Sequence, residues 1–256
     1  MKPNILFITI DALRSDKTYG KNKSSLTPNL DSLINNGIFF KQAISAADQT
    51  GSSLSSIFTS NFPITSGINQ FNFSEKTEIL LNIFKKTGYH TDAVVPEHNF
   101  FESLIKNFND SHIYSANKKS SWNRLDEGVG EKIIGKLSSL NNKQPWFFYI
   151  HIMDIRQPFE VSEEFHDDKF GKTNYDKIVS SIDIWLGKIL NQIDLSNTLI
   201  ILSADHGENI PVTGEYMGGS SKAQRALRKG TKSVPLLEKL GLKAVMNLRY
   251  ASQTYK

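Results

Sequence analysis

The sequence has no cysteine among its 256 residues. This absence excludes structural disulfides, thiolate metal sites and a thiol nucleophile. There is also no apolar run near the roughly 20 residues that span a bilayer. The apolar stretch Ile5–Ile10, which is followed by an acid, is too short for the core of a signal peptide. These absences predict a cytoplasmic protein without a transmembrane segment.

A strong charge of one sign is missing as well, because the formal net charge is only +4. The basic residues are nevertheless unevenly placed. Residues 222–256 contain nine lysines or arginines and a single acid, so the rest of the chain is mildly acidic. A basic segment of this kind can bind nucleic acid or an anionic membrane, and it can equally be the solvated face of terminal helices. Both interpretations stay open, as does the oligomeric state.

The composition is typical of a folded domain. With 39% apolar and 22% charged residues, the chain can bury a full core and has too little net charge to stay disordered. We expect one catalytic α/β domain over residues 1–215, followed by a basic, helical C-terminal segment over residues 216–256.

Short apolar runs alternate with helical patterns along the predicted domain. An apolar stripe from Ile178 to Ile193 predicts a long helix, and Thr27 followed by Pro28 is typical of a helix start. Strands that alternate with helices imply a mainly parallel central sheet with helices on both faces. Four apolar runs are predicted to be strands buried on both faces: Ile5–Ile10, Thr91–Val95, Trp146–Met153 and Thr198–Leu202.

Acids or histidines follow all four predicted strands. The carboxyl ends of parallel strands lie at one edge of a sheet, where ligands bind in such folds, so we expect these residues to gather in a site. Carboxylate oxygen and imidazole nitrogen together suit divalent manganese, zinc or magnesium. The residues concerned are Asp11, His98, Asp154 and the pair Asp205-His206.

Thr50 stands just before a segment of small residues with helical character. A hydroxyl at a helix N-terminus lies beside free backbone N–H groups, which bind the oxyanion of a phosphate or sulfate. Thr50 can then be a nucleophile activated by metal coordination. The alternative is a serine-rich helix cap without a catalytic role.

Six blocks of the sequence occur in the order of a known family. They are Pro3–Asp16, Thr27–Leu33 with Gly37–Phe40, Thr50–Pro63, Thr87–Thr91, His151–Phe159 and Ser203–Glu208. Together they resemble the sulfatase family within the alkaline phosphatase superfamily. The resemblance implies a central sheet with a metal held at its carboxyl edge by Asp11, Asp205 and His206, and Thr50 in the position of the nucleophile.

Several positions depart from the family pattern. Sulfatases of the oxidised-cysteine type have Cys or Ser followed by Pro and Arg where this chain has Thr50–Leu54, so Thr50 cannot become formylglycine. Ala12 replaces the second acid of the usual Asp-Asp pair, and His206 stands where sulfatases more often have Asn. His206 and a Thr nucleophile resemble the phosphate-transferring members of the superfamily, and they favour a phosphoester substrate.

One metal ion is predicted rather than two. Arg156 stands where two-metal phosphatases of the superfamily have a histidine, and an arginine cannot bind a cation but can clamp an anionic substrate. His206 and Ala12 favour manganese or zinc, with calcium or magnesium as the alternatives. His98 lies near the position of a substrate-contacting family histidine, or it belongs to a surface turn. The remaining candidates for substrate contact are Asp154, Arg14 and Lys222.

These residues favour the metal-dependent hydrolysis of a phosphate or sulfate ester. A transferase that passes a phosphoryl group to an alcohol, as in the phosphoglycerol and phosphoethanolamine transferases, is the alternative among enzymes. Family members usually continue well beyond the Asp-His-Gly-Glu block, so a truncated or degenerate protein is a third alternative. Such a protein would bind a metal or an anion without turnover.

Overall fold

The computed structural model describes residues 2–62, 78–115, 124–140, 142–156 and 159–208. One compact unit comprises Met1–Glu208, and a second unit, Asn209–Lys256, lies outside the described residues. The predicted boundary between residues 215 and 216 and the predicted basic segment fall in that undescribed part, so both remain predictions.

The described unit is built on a sheet of five strands: β1 (Asn4–Ile10), β2 (His90–Pro96), β3 (Asp110–Tyr114), β4 (Trp146–Ile152) and β5 (Thr198–Ala204). Their order across the sheet is β3-β2-β4-β1-β5, and every neighbouring pair is parallel. β1 therefore lies between β4 and β5, and the carboxyl ends of these three strands are adjacent.

The four predicted strands are confirmed within a few residues, and β3 is an addition. Only Ile113 and Tyr114 among the five residues of β3 are apolar, so the strand has no apolar run to identify it. β5 differs from the prediction in burial, because Leu199 and Ile201 are 51% and 40% exposed. Both exceptions are edge strands of the described sheet, where fewer neighbours cover the side chains.

The described residues form seven α-helices beside the strands: α1 (Ser15–Thr18), α2 (Pro28–Asn36), α3 (Thr50–Thr59), α4 (Leu80–Lys86), α5 (Asn99–Ile105), α6 (Val129–Leu140) and α7 (Asn174–Leu190). α7 ends before Ile193, so the predicted stripe is longer than the helix. The hydroxyl of Thr27 donates to the Asp31 carboxylate instead of capping α2. Within the described ranges, no helix is long and apolar enough to cross a membrane.

One face of the sheet carries an aromatic core that fixes the position of α3. Phe58 of α3 is fully buried, and its ring meets that of Tyr149 edge-on at 5.0 Å between centroids. Phe7 of β1 packs against the same tyrosine at 5.5 Å. Burial of one such side chain contributes about 2–3 kcal/mol, so the N-terminus of α3 is held firmly over the carboxyl ends of the strands.

A second group of helices packs around α7, which contacts both α2 and α6. The Asp183 carboxylate of α7 accepts hydrogen bonds from the backbone N–H groups of Asn29 and Leu30 at 3.1 and 2.7 Å. These two N–H groups lie in the first turn of α2 and have no partner within their own helix. Asp183 therefore performs the capping that the sequence suggested for Thr27.

The contact between α6 and α7 predicts a measurable packing effect. A Cβ atom on Gly130 of α6 would lie 2.3 Å from ring carbons of Trp185 of α7. We expect Gly130→Ala to lower the free energy of unfolding by about 1–3 kcal/mol, because the indole must move. Gly135, on the same helix, has open space at this position, so Gly135→Ala should be neutral or stabilising by up to about 1 kcal/mol. Urea unfolding measures both, and equal effects would contradict this packing.

Candidate metal centre

Two acids meet at the carboxyl ends of neighbouring strands. Asp11 follows β1 directly and Asp205 follows β5 directly, and the last residues of these strands, Ile10 and Ala204, are paired in the sheet. Both acids are buried, with 2% and 1% of their surface exposed. The register of the sheet therefore places two carboxylates side by side in a region from which water is largely excluded.

Backbone donors orient the Asp205 carboxylate. Its Oδ1 accepts hydrogen bonds from the N–H groups of His206, at 2.8 Å, and Ala12, at 3.2 Å. Ala12 has a φ of 60°, in the left-handed region that non-glycine residues seldom adopt, and this turn points its N–H at the acid. The other oxygen, Oδ2, is buried and has no hydrogen-bond partner in the part of the chain that the structure describes. An unmatched carboxylate oxygen of this kind suits a cation.

Thr50 is the first residue of α3 and contacts both strand ends. Its hydroxyl donates to Asp11 Oδ1 at 2.8 Å and lies 3.2 Å from His206 Nε2. The neighbouring Ser53 hydroxyl donates to the backbone carbonyl of Asp205, which ties α3 to the end of β5. The structure thus brings together Asp11, Thr50, Asp205 and His206, the four residues expected to bind the metal.

The hydrogen bonds of His206 decide which of its nitrogens is free to bind. Nδ1 lies 2.8 Å from the carbonyl oxygen of Gly207, and a carbonyl can only accept, so Nδ1 carries the proton. In the tautomer that carries its single proton on Nδ1, Nε2 has a lone pair. It lies 3.5 Å from Asp11 Oδ1 and 3.6 Å from Asp205 Oδ2. A lone pair facing two carboxylates is the donor set of a divalent cation site.

The pKa of Asp11 reflects its burial and the charged groups around it. Burial, together with the charge of Asp205, raises the pKa of Asp11 to about 6, against the opposing effects of Arg156, His206 and Thr50. The Nε of Arg156 lies 3.5 Å from Asp11 Oδ2, and its side chain is 44% exposed. The guanidinium therefore stands at the solvent side of the centre, where it can meet an anion.

His151 is a member of the centre that the sequence analysis did not single out. One of its nitrogens and one carboxylate oxygen each of Asp11 and Asp205 all lie within 4.8 Å of one another. His206 contacts both acids but is not part of that three-residue cluster. A histidine inside the buried apolar strand Trp146–Ile152 was the signal available in the sequence. Its relation to the acids becomes visible only once β4 is placed beside β1.

Two other candidates make different contacts, and a third lies outside the described residues. Nδ1 of the exposed His98 accepts from the N–H of Phe100 and caps α5, in keeping with the surface-turn alternative. The guanidinium of Arg14 bonds the Asp16 carboxylate at 2.8 Å and the carbonyl of Glu208 at 2.9 Å. Lys222 lies outside the described residues.

Asp154 faces away from this centre toward the 3₁₀ turn Leu125–Glu127. Its Oδ1 accepts from the N–H of Leu125 at 3.1 Å, and the side chain lines a small cavity with Arg124 and Ser162. Burial raises the pKa of Asp154 to about 7. Through these contacts, Asp154 holds the 3₁₀ turn in place.

Known proteins share both the sequence pattern and the fold. A family model described as Sulfatase matches residues 3–237. A curated relative from Formosa agariphila, described as a sulfatase, is 37% identical over 327 aligned residues, which cover 92% of this chain and 63% of that protein. Across three curated relatives, the chain spans 32%, 46% and 63% of their lengths.

Solved structures show the same architecture at low sequence identity. The lipoteichoic acid synthase LtaP from Listeria monocytogenes superposes with a TM-score of 0.67 at 18% identity, over 88% of this chain and 59% of that one. A protein of the alkaline phosphatase superfamily from Vibrio parahaemolyticus gives a TM-score of 0.61 at 18% identity, over 86% and 56%. The predicted α/β class, with its mainly parallel sheet, is confirmed.

The buried Asp154 predicts a pH-dependent stability. Its pKa is about 7 in the folded protein against 3.8 ordinarily, so between these values the folded chain keeps a proton that the unfolded chain has lost. The contribution of this group to stability therefore falls as pH rises from about 4 to 7, by up to roughly 1.4 kcal/mol per unit. Asp154→Asn cannot titrate, and it keeps an oxygen for the N–H of Leu125.

We expect the stability of Asp154→Asn relative to the wild type to increase across that pH range and to level off above it. Urea unfolding at several pH values measures the difference. Asp168→Asn, at a side chain that is 95% exposed, is the control and should show no such trend. A difference that is constant with pH would contradict the burial of an ionisable Asp154.

Proposed function

The chain belongs to the sulfatase family, and we propose that it is a metal-dependent hydrolase of phosphate or sulfate esters in which Thr50 is the nucleophile. The observation that carries this proposal is the position of the Thr50 hydroxyl, 2.8 Å from Asp11 Oδ1 and 3.2 Å from His206 Nε2 at the start of α3. A helix-capping threonine without a catalytic role would not need to lie between two potential metal ligands.

The residues at this centre fit one divalent ion. Asp11, Asp205 and His206 would hold it together with the Thr50 oxygen, and the buried, unmatched Oδ2 of Asp205 is the clearest sign of a missing positive partner. When bound, such an ion lowers the pKa of a hydroxyl and offsets negative charge on the substrate. The imidazole nitrogen favours manganese or zinc over calcium or magnesium.

The chain's own groups account for the rest of the reaction. Asp11 accepts the hydrogen bond of the Thr50 hydroxyl and so directs its oxygen lone pairs away from the carboxylate. Attack of Oγ1 forms a bond to phosphorus or sulfur and breaks the ester bond, and the alcohol leaves with the proton that Thr50 loses. Water then cleaves the covalent intermediate and returns the proton to Thr50, which regenerates the enzyme.

Positive groups at the centre suit an anionic substrate. Arg156 lies beside Asp11 with its side chain 44% exposed, so its guanidinium can bond a substrate oxygen. The first N–H groups of α3, a helix of 10 residues, point toward the same region. Charge that develops on the non-bridging oxygens would be stabilised by both.

A phosphoester is the substrate that we favour. Thr50 cannot be converted into the formylglycine on which sulfatases of the oxidised-cysteine type depend, whereas a threonine alkoxide can attack phosphorus directly. The relative from Formosa agariphila is described as a sulfatase, so sulfate esters belong in the same assay. Transfer of the phosphoryl group to added glycerol, detected in the products, would identify the transferase alternative.

The nucleophile is tested by substitution on α3. We expect Thr50→Ala to reduce hydrolysis by roughly 10³-fold or more, because no other hydroxyl replaces it, and Thr50→Ser to retain measurable activity. Ser56→Ala is the matched control on the same helix, since the Ser56 hydroxyl has no hydrogen-bond partner. The assay uses nitrophenyl phosphate, bis-nitrophenyl phosphate and nitrophenyl sulfate with added manganese or zinc.

Two results would contradict the proposal. One is a Thr50→Ala variant as active as the wild type. The other is a metal-loaded wild type that hydrolyses none of the three esters.

The anion clamp is tested separately through inhibition by inorganic phosphate. Arg156→Gln removes a charged donor, and loss of a hydrogen bond to a charged group weakens binding by about tenfold or more. We therefore expect its inhibition constant for phosphate to rise by that factor. Lys169→Gln, at an exposed lysine that pairs with Asp167, is the control. An unchanged constant in Arg156→Gln would remove Arg156 from substrate binding.

A further inference from the structure

His151 is a buried histidine at the inner side of the metal centre. It lies in β4, paired with Thr9 of β1, and it is 0% exposed. Its side chain stands on the same face of the sheet as Thr9 and, two residues further along β1, Asp11. The two nitrogens of the ring therefore face different surroundings.

A hydroxyl network occupies Nδ1. Thr9 Oγ1 lies 2.7 Å from Nδ1 and Tyr149 Oη lies 3.1 Å from it, with 2.8 Å between the two hydroxyls. Thr9 can also donate to the carbonyl of Ile150 at 3.4 Å. If Nδ1 carries the proton, Nδ1–H and the Tyr149 hydroxyl donate to Thr9, and Thr9 donates to Ile150. Every donor in the network then has an acceptor.

The opposite tautomer leaves a buried donor unmatched. Nε2 is buried and has no hydrogen-bond partner among the described residues, so a proton on Nε2 would be a buried N–H group without an acceptor, which is destabilising. The network therefore favours a proton on Nδ1 and a lone pair on Nε2.

His151 lies beside the two buried acids. Nitrogen and carboxylate oxygens of His151, Asp11 and Asp205 lie within 4.8 Å of one another. His151 and Asp205 thus each bring to this group an electron-rich atom, Nε2 and Oδ2, that has no hydrogen-bond partner among the described residues. A cation is the partner that satisfies both at once.

We propose that Nε2 of His151 is a further ligand of the divalent ion, on the inner side of the centre. The inference rests on the proposed function only in placing an ion between Asp11 and Asp205. Thr9 and Tyr149 would orient the ring from behind through Nδ1, as partners of metal-bound histidines do. With His206, the centre then offers two imidazoles and two carboxylates, a donor set that selects zinc or manganese against calcium.

The test counts imidazole ligands without measuring turnover. The full-length protein, labelled with ¹⁵N-histidine, is titrated with zinc chloride, and long-range ¹H–¹⁵N correlation spectra report both nitrogens of its six histidines. We expect two rings to change to the metal-bound state, each through Nε2. One of them should disappear in His206→Asn and the other in His151→Gln. The rings expected to stay unchanged are His90, His98, His112 and His166.

Affinity provides a second measurement. Loss of a residue that merely orients a metal ligand costs about 10- to 100-fold, so we expect His151→Gln to weaken zinc binding by roughly 100-fold or more. His112→Gln, at a partly buried histidine on β3, is the matched control and should bind zinc like the wild type. If His151→Gln does not fold, the spectrum of His206→Asn decides, because one zinc-bound ring should remain there.

Three results would overturn the assignment. They are a single zinc-bound ring in the wild type, no zinc-bound ring in His206→Asn, and two zinc-bound rings that persist in His151→Gln. Ester hydrolysis is measured in a separate assay. A protein that binds zinc through both rings yet cleaves no ester would end the proposed function and leave this ligand in place. An active protein in which His206 is the only histidine bound to the metal would overturn the assignment of His151 and leave the proposed function in place.

Discussion

Two buried carboxylates, those of Asp11 and Asp205, directly follow neighbouring strands. The negative charge that they concentrate is the constraint on which the rest of the site depends. Like charges in a region of low dielectric raise each other's pKa or demand a cation. Part of this negative charge is offset by backbone N–H groups, the Thr50 hydroxyl and the Arg156 guanidinium. One carboxylate oxygen stays unmatched, which is the physical basis for placing an ion at this point.

The fold supplies the rigidity that such a centre needs. β1 is hydrogen-bonded on both sides, and Tyr149 and Phe58 link the sheet to the helix that carries Thr50. Tyr175 of α7 donates to the carbonyl of Ala12, which holds the strained turn after β1. The aromatic core and the polar centre are therefore successive layers of one structure. A shift in the aromatic core would move Thr50 relative to the two acids.

Much of this could be predicted from the sequence, because short apolar runs identify buried strands and the acids that follow them share one edge. The grouping of Asp11, Thr50 and Asp205-His206 follows from that rule together with the family resemblance. What the sequence could not supply was the direction of side chains and the pairing of strands. Asp154 also follows a strand, yet it turns to the N–H of Leu125. The surroundings of His151 can be recognised only from the strand pairing, which places Thr9 opposite it.

The proposed chemistry depends on a single divalent ion at this strand edge. Anomalous diffraction from crystals grown with zinc or manganese tests it most directly, because the difference map locates the ion independently of any chemistry. We expect one anomalous difference peak within bonding distance of Asp11, Asp205 and the Thr50 oxygen. A map without a peak at that position, in a protein that is otherwise folded as described, would contradict it.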